Sequence, residues 1–306
     1  MSPSVTIVVP VYNSSQSLRP FFREVNSALS DSFRNFQLIF VDDGSKDESW
    51  EEILFIRARD SRVKGIRLSK NYGQHNALLC GIIESEGEII VTMDDDLQHP
   101  PTAINLLISE INKGYDVAYA FPIAEKQGYF RNIASGLTKS ILSNTLKSNE
   151  IRNLSAFRAF RREFVQSFAN YLNPRVNIDV MLAWIANRYS FIPIQFRRRK
   201  FGNSSYSFIK LVRHALDMMT GFTSRPIKLV GFLGILVCAA GMALLLFILV
   251  SWSINKNSIP GFTFLASIII IFSGTQLVTL GILGEYIARI HMNLLGKPPF
   301  SIKDRV

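Results

Sequence analysis

The sequence predicts an α/β protein, a mainly parallel sheet covered by helices, followed by two helices of a different kind. Residues 4–121 alternate short β-branched runs with segments of helical periodicity, the βαβα rhythm of a parallel sheet. Each apolar run ends in a polar or turn-forming motif, and in such sheets the ligand crevice lies at the carboxyl ends of the strands. Beyond residue 226 come two apolar stretches, each long enough at ~1.5 Å per residue to cross a hydrocarbon core ~30 Å thick.

The first run, Val5–Val11, follows no basic segment and is too short for a signal peptide, so it reads as a buried strand. Phe36–Asp43, Val63–Ser69 and Glu88–Asp96 are the next strand candidates. Between them "SLRPFFREVNSAL", "DESWEEILFIRAR" and "HNALLCGIIESEG" carry helical spacing. Residues 122–190 read as helix-like, with an apolar stripe among basic residues in Gly128–Leu146. Phe191–Phe196 reads as a further strand, and Arg197–Lys200 is a cationic run after it. Tyr206–Phe222 has the pattern of a basic amphipathic helix suited to a membrane surface.

The apolar stretches are Ile227–Trp252 and Phe262–Leu283, joined by a short connector with a single lysine. Arg213, Arg225 and Lys228 flank one end of the pair and Arg289, Lys297, Lys303 and Arg305 the other. The positive-inside rule then places both termini and the α/β part in the cytoplasm. The expected domains are residues 1–205 (catalytic), 206–226 (juxtamembrane helix), 227–288 (two spans, about 227–252 and 262–285) and 289–306 (basic tail). "GFLG" and "GILG" offer glycine-rich faces through which such helices could self-associate as a homo-oligomer.

Among 306 residues, 34 Lys and Arg against 24 Asp and Glu leave a formal charge of +10, which favours anionic partners. Membrane flanks and phosphate-like motifs account for most of this charge, so no nucleic-acid partner is expected. Two cysteines, Cys80 and Cys238, lie too far apart in sequence to suggest a disulfide framework or a cysteine metal site.

Chemistry concentrates at the strand ends. "TMDDDLQHPP" places Asp94 and Asp96 two residues apart, on one side of an extended backbone, with the Gln98 carbonyl two residues further. Oxygen ligands at this spacing suit Mg²⁺ or Mn²⁺ completed by water and substrate phosphates. The bland alternative is an acidic loop that ends a strand and caps a helix. Asp42 and Asp43 of "VDDGSKD" could accept hydrogen bonds from a ribose or base, or could simply build an Asp-Gly-Ser turn. Tyr12 of "PVYN" could lie against a base or pack as core. Asn71, Gln74 and His75 of "NYGQHNA" are polar groups beside a permissive glycine. Zinc at His75 and His99 is disfavoured, since no other histidine or cysteine has ligand spacing. Arg158, Arg161, Arg162 and Arg197–Lys200 could hold phosphates through bidentate guanidinium contacts, or could form a solvated face.

Taken in order, "VVPVYN", "VDDGSKD", "NYGQHNAL", "MDDDLQHPP", "FRAFRR", "RRKFGNSSYSF" and "GILGEYIARI" resemble the polyisoprenyl-phosphate glycosyltransferases of glycosyltransferase family 2. The resemblance implies a GT-A, Rossmann-like nucleotide-sugar domain, amphipathic interface helices and a two-helix transmembrane hairpin in a bacterial inner membrane. It implies sugar transfer from a nucleotide diphosphate donor, UDP-linked in the leading reading, to undecaprenyl (polyisoprenyl) phosphate. By the same resemblance Asp94, Asp96 and Gln98 form the metal and diphosphate site, and Pro10, Tyr12 and Asp43 the nucleoside pocket. Arg158, Arg199 and Ser204 take phosphate-binding positions, with Asp95 a polar helper. Three departures stand out: Ser14 where the family has Glu, Ser205 where it has Lys, and "NLSAFR" without the usual acidic residue, Asn153 lying nearby. Transfer to another lipid or polysaccharide acceptor, or a catalytically impaired sugar-nucleotide scaffold, are the alternatives.

Overall fold

The computed structural model describes residues 4–29, 33, 35–123, 154–169, 176–197, 225–255 and 261–306. The chain divides into two units, Met1–Leu211 with Gly296–Val306, and Val212–Leu295. In the first unit the described elements are β1 (Val5–Val11), α1 (Ser15–Leu29), β2 (Phe36–Asp42), α2 (Ser49–Arg57), β3 (Val63–Leu68), α3 (Gln74–Ile83) and β4 (Ile89–Thr92). They continue with α4 (Ile104–Asn112), β5 (Val117–Pro122), β6 (Arg158–Arg161), α5 (Val165–Ala169), α6 (Ile178–Ile185) and β7 (Tyr189–Ile194). The second unit holds α7 (Arg225–Asn255) and α8 (Gly261–Leu294), after which the chain returns to the first unit as β8 (Ile302–Arg305).

One mixed sheet runs β7-β5-β6-β4-β1-β2-β3-β8. Strands β3, β2, β1 and β4 are mutually parallel, as the helical crossovers between them require. β6 is antiparallel to both β4 and β5, and β8 is antiparallel to β3. The period of two along the strands sorts the core onto both faces. Val5, Ile7, Val9 and Val11 pack with Leu18, Phe21 and Val25 of α1 on one side. Val8, Ile39, Val41 and Ile66 pack with Ala77, Leu78 and Ile82 of α3 on the other.

β1 lies between β2 and β4, the point where the strand order reverses. A crevice opens at the carboxyl ends of two strands that diverge in this way. Pro10 marks the parting. Val8 accepts from Met93 N–H on the β4 side, so the nitrogen of Pro10 two residues on also faces that side. β4 has ended by then, and the missing N–H of Pro10 removes no ladder bond. Pro10 itself is buried within β1.

Three elements differ from the sequence expectation. The strand ending in the acidic run stops at Thr92, so Asp94–Asp96 lie in a turn and not on extended backbone. Residues 158–161, read as a phosphate-binding basic segment in a helical region, form β6, whose ladder partners come from distant β4 and β5. The segment read as a basic tail continues α8 to Leu294 and then forms β8, with Val306 and Gly65 exchanging backbone hydrogen bonds of 2.9 and 3.0 Å. Gly128–Leu146, the helix expected at 206–226, Asn153, Arg199, Ser204 and Ser205 lie outside the described residues, apart from Arg225 and Pro226 at the start of α7.

The second unit is apolar on its outside. Phe232, Leu236, Phe247 and Ile254 of α7 and Leu265, Phe272, Leu277 and Leu280 of α8 are all exposed. Thr275 and Thr279 turn their hydroxyls back to the carbonyls of Ile271 and Thr275, both at 2.9 Å, which satisfies them within the helix. Among the described residues, Ile271–Leu294 is long and apolar enough to cross a membrane; the apolar part of α7 that stands out is the shorter Val230–Ala243.

Candidate active site

The loops after β1, β2 and β4 and the N-terminus of α3 meet at the switch point. The first two are tied together. Asn13, at φ +53°, accepts from Lys46 N–H at 2.8 Å, while its own N–H donates to the Ser45 hydroxyl at 3.0 Å. Ser14 N–H donates to the Ser49 hydroxyl at 2.8 Å and Ser15 N–H to Asp47 at 3.1 Å. Tyr12, 45 % exposed, is therefore presented on a rigid loop, open to stack on a planar ligand.

Asp42 and Asp43 serve this scaffold. Asp42 is wholly buried, accepts Ser45 N–H at 2.9 Å and faces the Arg67 guanidinium at 3.5 Å. Asp43 is also buried and accepts the N–H groups of Tyr72 and Gly73 at 2.7 and 2.8 Å, one on each oxygen. Burial raises its pKa, and those two amides pull the other way. Both carboxylates build loops here: Asp42 holds the amide three residues on within its own turn, and Asp43 reaches across to the amides of Tyr72 and Gly73 in the loop after β3. The loop they hold passes close to the segment after β3: a Cβ on Gly44, at φ +69°, would lie 2.6 Å from the carbonyl carbon of Lys70. Gly73, at φ +96°, then starts α3. Asn71 and Gln74 are exposed and His75 half-buried at this end.

The D-x-D turn faces the same N-terminus. Gln74 Nε2 donates to Asp94 Oδ1 at 2.6 Å, and His75 Nδ1 accepts Ile178 N–H at 3.4 Å. Asp96, 8 % exposed, accepts Gln98 N–H at 3.1 Å. Leu97 follows at φ +62°. Asp94 N–H donates to Nδ1 of His99 at 3.2 Å. Burial, against the charges of Asp94 and Asp96, lowers the His99 pKa and favours the neutral ring. Asp95 is half-buried as a residue, yet its Oδ2 is buried and has no hydrogen-bond partner. Burial first, then repulsion from Asp94 and Asp96, push its pKa up to about 7, with partial relief from the Ser14 hydroxyl. Among the described residues no three His, Cys, Asp or Glu side chains gather into a cage. Two carboxylates with an amide nearby fit a divalent cation that takes its remaining oxygens from water and a diphosphate.

The arginines are elsewhere than expected. Arg158 is 1 % exposed, with Nη1 ion-paired to Asp179 and Nε donating to the Thr92 hydroxyl at 3.1 Å. Burial alone would lower its pKa, but the charge of Asp179 and the neighbouring Tyr119 hold it above the usual value. Tyr119 donates to Asp179 at 3.2 Å, and burial pushes its phenol well above its ordinary pKa. Arg158 is thus committed to the protein and not open to a phosphate; alternation along β6 turns it inward. Arg161 and Arg162 donate to the carbonyls of Ile111 and Glu86, and Arg197 pairs with Glu24. Asp179, which the sequence reading passed over, ties Arg158, Tyr119 and the start of α6 to the strand that carries the D-x-D turn. "NID" at a helix start carried a capping signal, Asn177 accepting Val180 N–H at 3.1 Å, but nothing local announced the buried partner.

Residues 6–168 match the family described as glycosyl transferase family 2, and the chain belongs to that family. It is 30% identical over 302 residues to an undecaprenyl-phosphate 4-deoxy-4-formamido-L-arabinose transferase of Klebsiella pneumoniae, spanning 98% of this chain and 92% of the relative. Its fold is similar to that of glucosyl-3-phosphoglycerate synthase from Mycobacterium tuberculosis, solved with phosphoglyceric acid, at 17% identity and TM-score 0.50, over 71% of this chain and 78% of that one. Staphylococcus aureus TarS 1-349 with UDP-GlcNAc gives 18% identity and TM-score 0.49, over 70% and 66% of the two chains. The mixed sheet with its 3-2-1-4 parallel core is the GT-A, Rossmann-like α/β fold.

Proposed function

We propose that this glycosyltransferase moves a sugar from a nucleotide diphosphate donor, UDP-linked in our reading, to the phosphate of undecaprenyl phosphate, with inversion at the anomeric carbon. The observation that carries the acceptor is the extent of the match: likeness to an undecaprenyl-phosphate sugar transferase over 98% of this chain takes in the apolar helices as well as the α/β unit. A phosphate monoester has its second pKa near ~6, so at neutral pH it is mostly a dianion and attacks without a strong base. Its oxygen forms the bond to the anomeric carbon as the bond to the donor diphosphate breaks and the nucleoside diphosphate leaves with the electron pair. The chain's task is to hold two anionic groups in line.

Asp94 and Asp96, with Gln98, would hold Mg²⁺ or Mn²⁺ against the donor diphosphate. A bound divalent cation supplies charge neutralisation at the leaving group. Tyr12 would stack on the base. The Asn71–His75 segment, braced by Asp43, would line the donor side, and Arg199 and Ser204 would bind phosphate. The missing carboxylate before "FR" matters less for a phosphate acceptor than for a hydroxyl.

Two spans are favoured by chain connectivity. β7 and β8 belong to one hydrogen-bonded sheet, and among the described elements α7 and α8 are what lies between them in the chain. The residues before α7 and after α8 therefore belong to one side of any membrane, which requires an even number of crossings. With the lysines and arginines at those flanks, that side is the cytosol of a bacterial inner membrane.

The test is purified protein in detergent with undecaprenyl phosphate, a panel of UDP-sugars, and Mg²⁺, Mn²⁺ or EDTA. Glycolipid that forms with the cation, disappears with EDTA and falls at least ~10³-fold in Asp96→Ala supports the proposal. Nucleotide binding without turnover across the panel would instead identify a sugar-nucleotide scaffold.

A further inference from the structure

We propose that His99 is a positioning residue, whose Nδ1 holds the Asp94 backbone amide and sets the shape of the D-x-D turn. The inference rests on the reading above that Asp94 and Asp96 bind a divalent cation together with the donor. β4 ends at Thr92, so no ladder fixes the three residues that follow Met93. The turn is instead closed across its own ends: Asp94 N–H donates to His99 Nδ1 at 3.2 Å. Inside it, Gln98 N–H meets Asp96 Oδ1 at 3.1 Å, and Leu97 takes the left-handed conformation at φ +62° that an L side chain disfavours. From outside, Arg197 N–H donates to the Gln98 carbonyl at 2.9 Å.

The histidine that closes the turn is clamped. It is 5 % exposed, stacked on Phe157 at 5.0 Å and met edge-on by Phe196 at 4.8 Å. Phe157 precedes β6 and Phe196 follows β7, so two separate strands pin one ring. An apolar residue would fill this slot without the cost of burying imidazole nitrogens. The nitrogen facing Asp94 accepts an N–H bond, which leaves its lone pair engaged and puts the ring proton on Nε2. Nδ1 is therefore a brace for a ligand's backbone and not itself a ligand. Without an acceptor here the Asp94 amide loses its partner, and the spacing between the two carboxylates relaxes.

Mn²⁺ binding without turnover separates this role from packing. The free-Mn²⁺ electron paramagnetic resonance signal is followed as the detergent-solubilised chain is titrated in UDP, with no acceptor and no sugar donor. His99→Asn keeps an acceptor atom near the Nδ1 position and loses the ring; His99→Phe keeps a ring and loses the acceptor. We expect the Asn variant to bind Mn²⁺ within about threefold of wild type despite a lower melting temperature. The Phe variant should melt higher than the Asn variant yet bind about tenfold more weakly, the effect of one lost hydrogen bond. His99→Leu gives the same comparison if the Phe variant does not fold. Mn²⁺ affinity that follows the order of melting temperatures, or a Phe variant that binds as wild type does, overturns the inference and leaves the metal reading standing. A wild type that binds no Mn²⁺ with UDP, or an Asp96→Ala variant that binds as tightly, overturns the metal reading and this inference with it.

Discussion

Replacing Asp95 by Asn should stabilise the protein above neutral pH and do little in acid. The Asp95 carboxyl has its pKa raised from 3.8 to about 7, mainly by burial and then by the charges of Asp94 and Asp96. The unfolded chain releases this proton near 3.8, whereas the folded protein keeps it to about 7. The stabilising contribution of the neutral form is thus complete below 3.8 and is lost as pH rises through about 7. At about 1.4 kcal/mol per pH unit, that gap is worth about 4 kcal/mol. Solvent reaching the half-buried residue trims it to about 2–4 kcal/mol. Asparagine has the same size and no charge to bury, so the advantage of Asp95→Asn should grow between pH 4 and 7 and level off above. For a unit of this size the plateau corresponds to roughly 5–10 °C in melting temperature. Thermal melts in detergent and EDTA, from pH 5 to 8.5, measure it. Parallel curves for the two proteins across that range would refute the reasoning and show Asp95 ionised like an ordinary surface carboxylate.

Breaking the Arg158–Asp179 pair should be asymmetric, because the side chains are 1% and 19% exposed. Asp179→Asn strands a buried guanidinium and should cost about 3–5 kcal/mol, Arg158→Met about 1–3, and the double variant less than their sum in denaturant titrations. Removing residues 301–306 takes away the acceptors of Gly65 and Ser69 N–H, Val306 O at 3.0 Å and Ser301 O at 2.9 Å. Hydrogen exchange at those two amides should then accelerate by at least ~10²-fold, while Ile7 and Val9 in the central strand stay protected. Gly44→Ala should destabilise by about 1–3 kcal/mol in thermal melts, since its Cβ meets the Lys70 backbone at 2.6 Å in a left-handed conformation.

How much could be read from the residues depended on the range of the interactions involved. β1 to β3 and the helices after β1 and β2 are local statements, apolar runs of the right period between turn residues, and their bounds shift by only a residue or two in the structure; α3 stops at Ile83, four residues short of the expected end. That rhythm also predicts that the loops carrying Tyr12 and Asp94 lie at strand ends, which the 3-2-1-4 order turns into neighbours across one crevice. β6 and β8 were missed because "RAFR" and "IKDR" are short, charged and stable only through partners far along the chain. Arg158 shows the limit most clearly. In sequence it is one arginine among several in a basic segment, and only the β4–β6 register, pairing it with Thr92, shows that it points inward to a carboxylate 21 residues on. The acidic run differs from the expectation in its backbone: β4 stops at Thr92 and Asp94–Asp96 lie in a turn closed by His99, where alternation along an extended strand is what the spacing predicts.

The return of the chain as β8 also orders events in time. A ribosome makes β3 early and its edge partner only after both apolar helices, so the growing chain carries an open strand edge throughout their synthesis. Charged residues on β3, Lys64 and Arg67, suit that interval, since an edge bearing lysine or arginine resists pairing with another copy. When β8 arrives, Arg305 meets Glu84, which already holds Lys64, at 2.8 Å. Closing the sheet is then a late step, possible only once both apolar helices have been made and the chain after them has come back to β3.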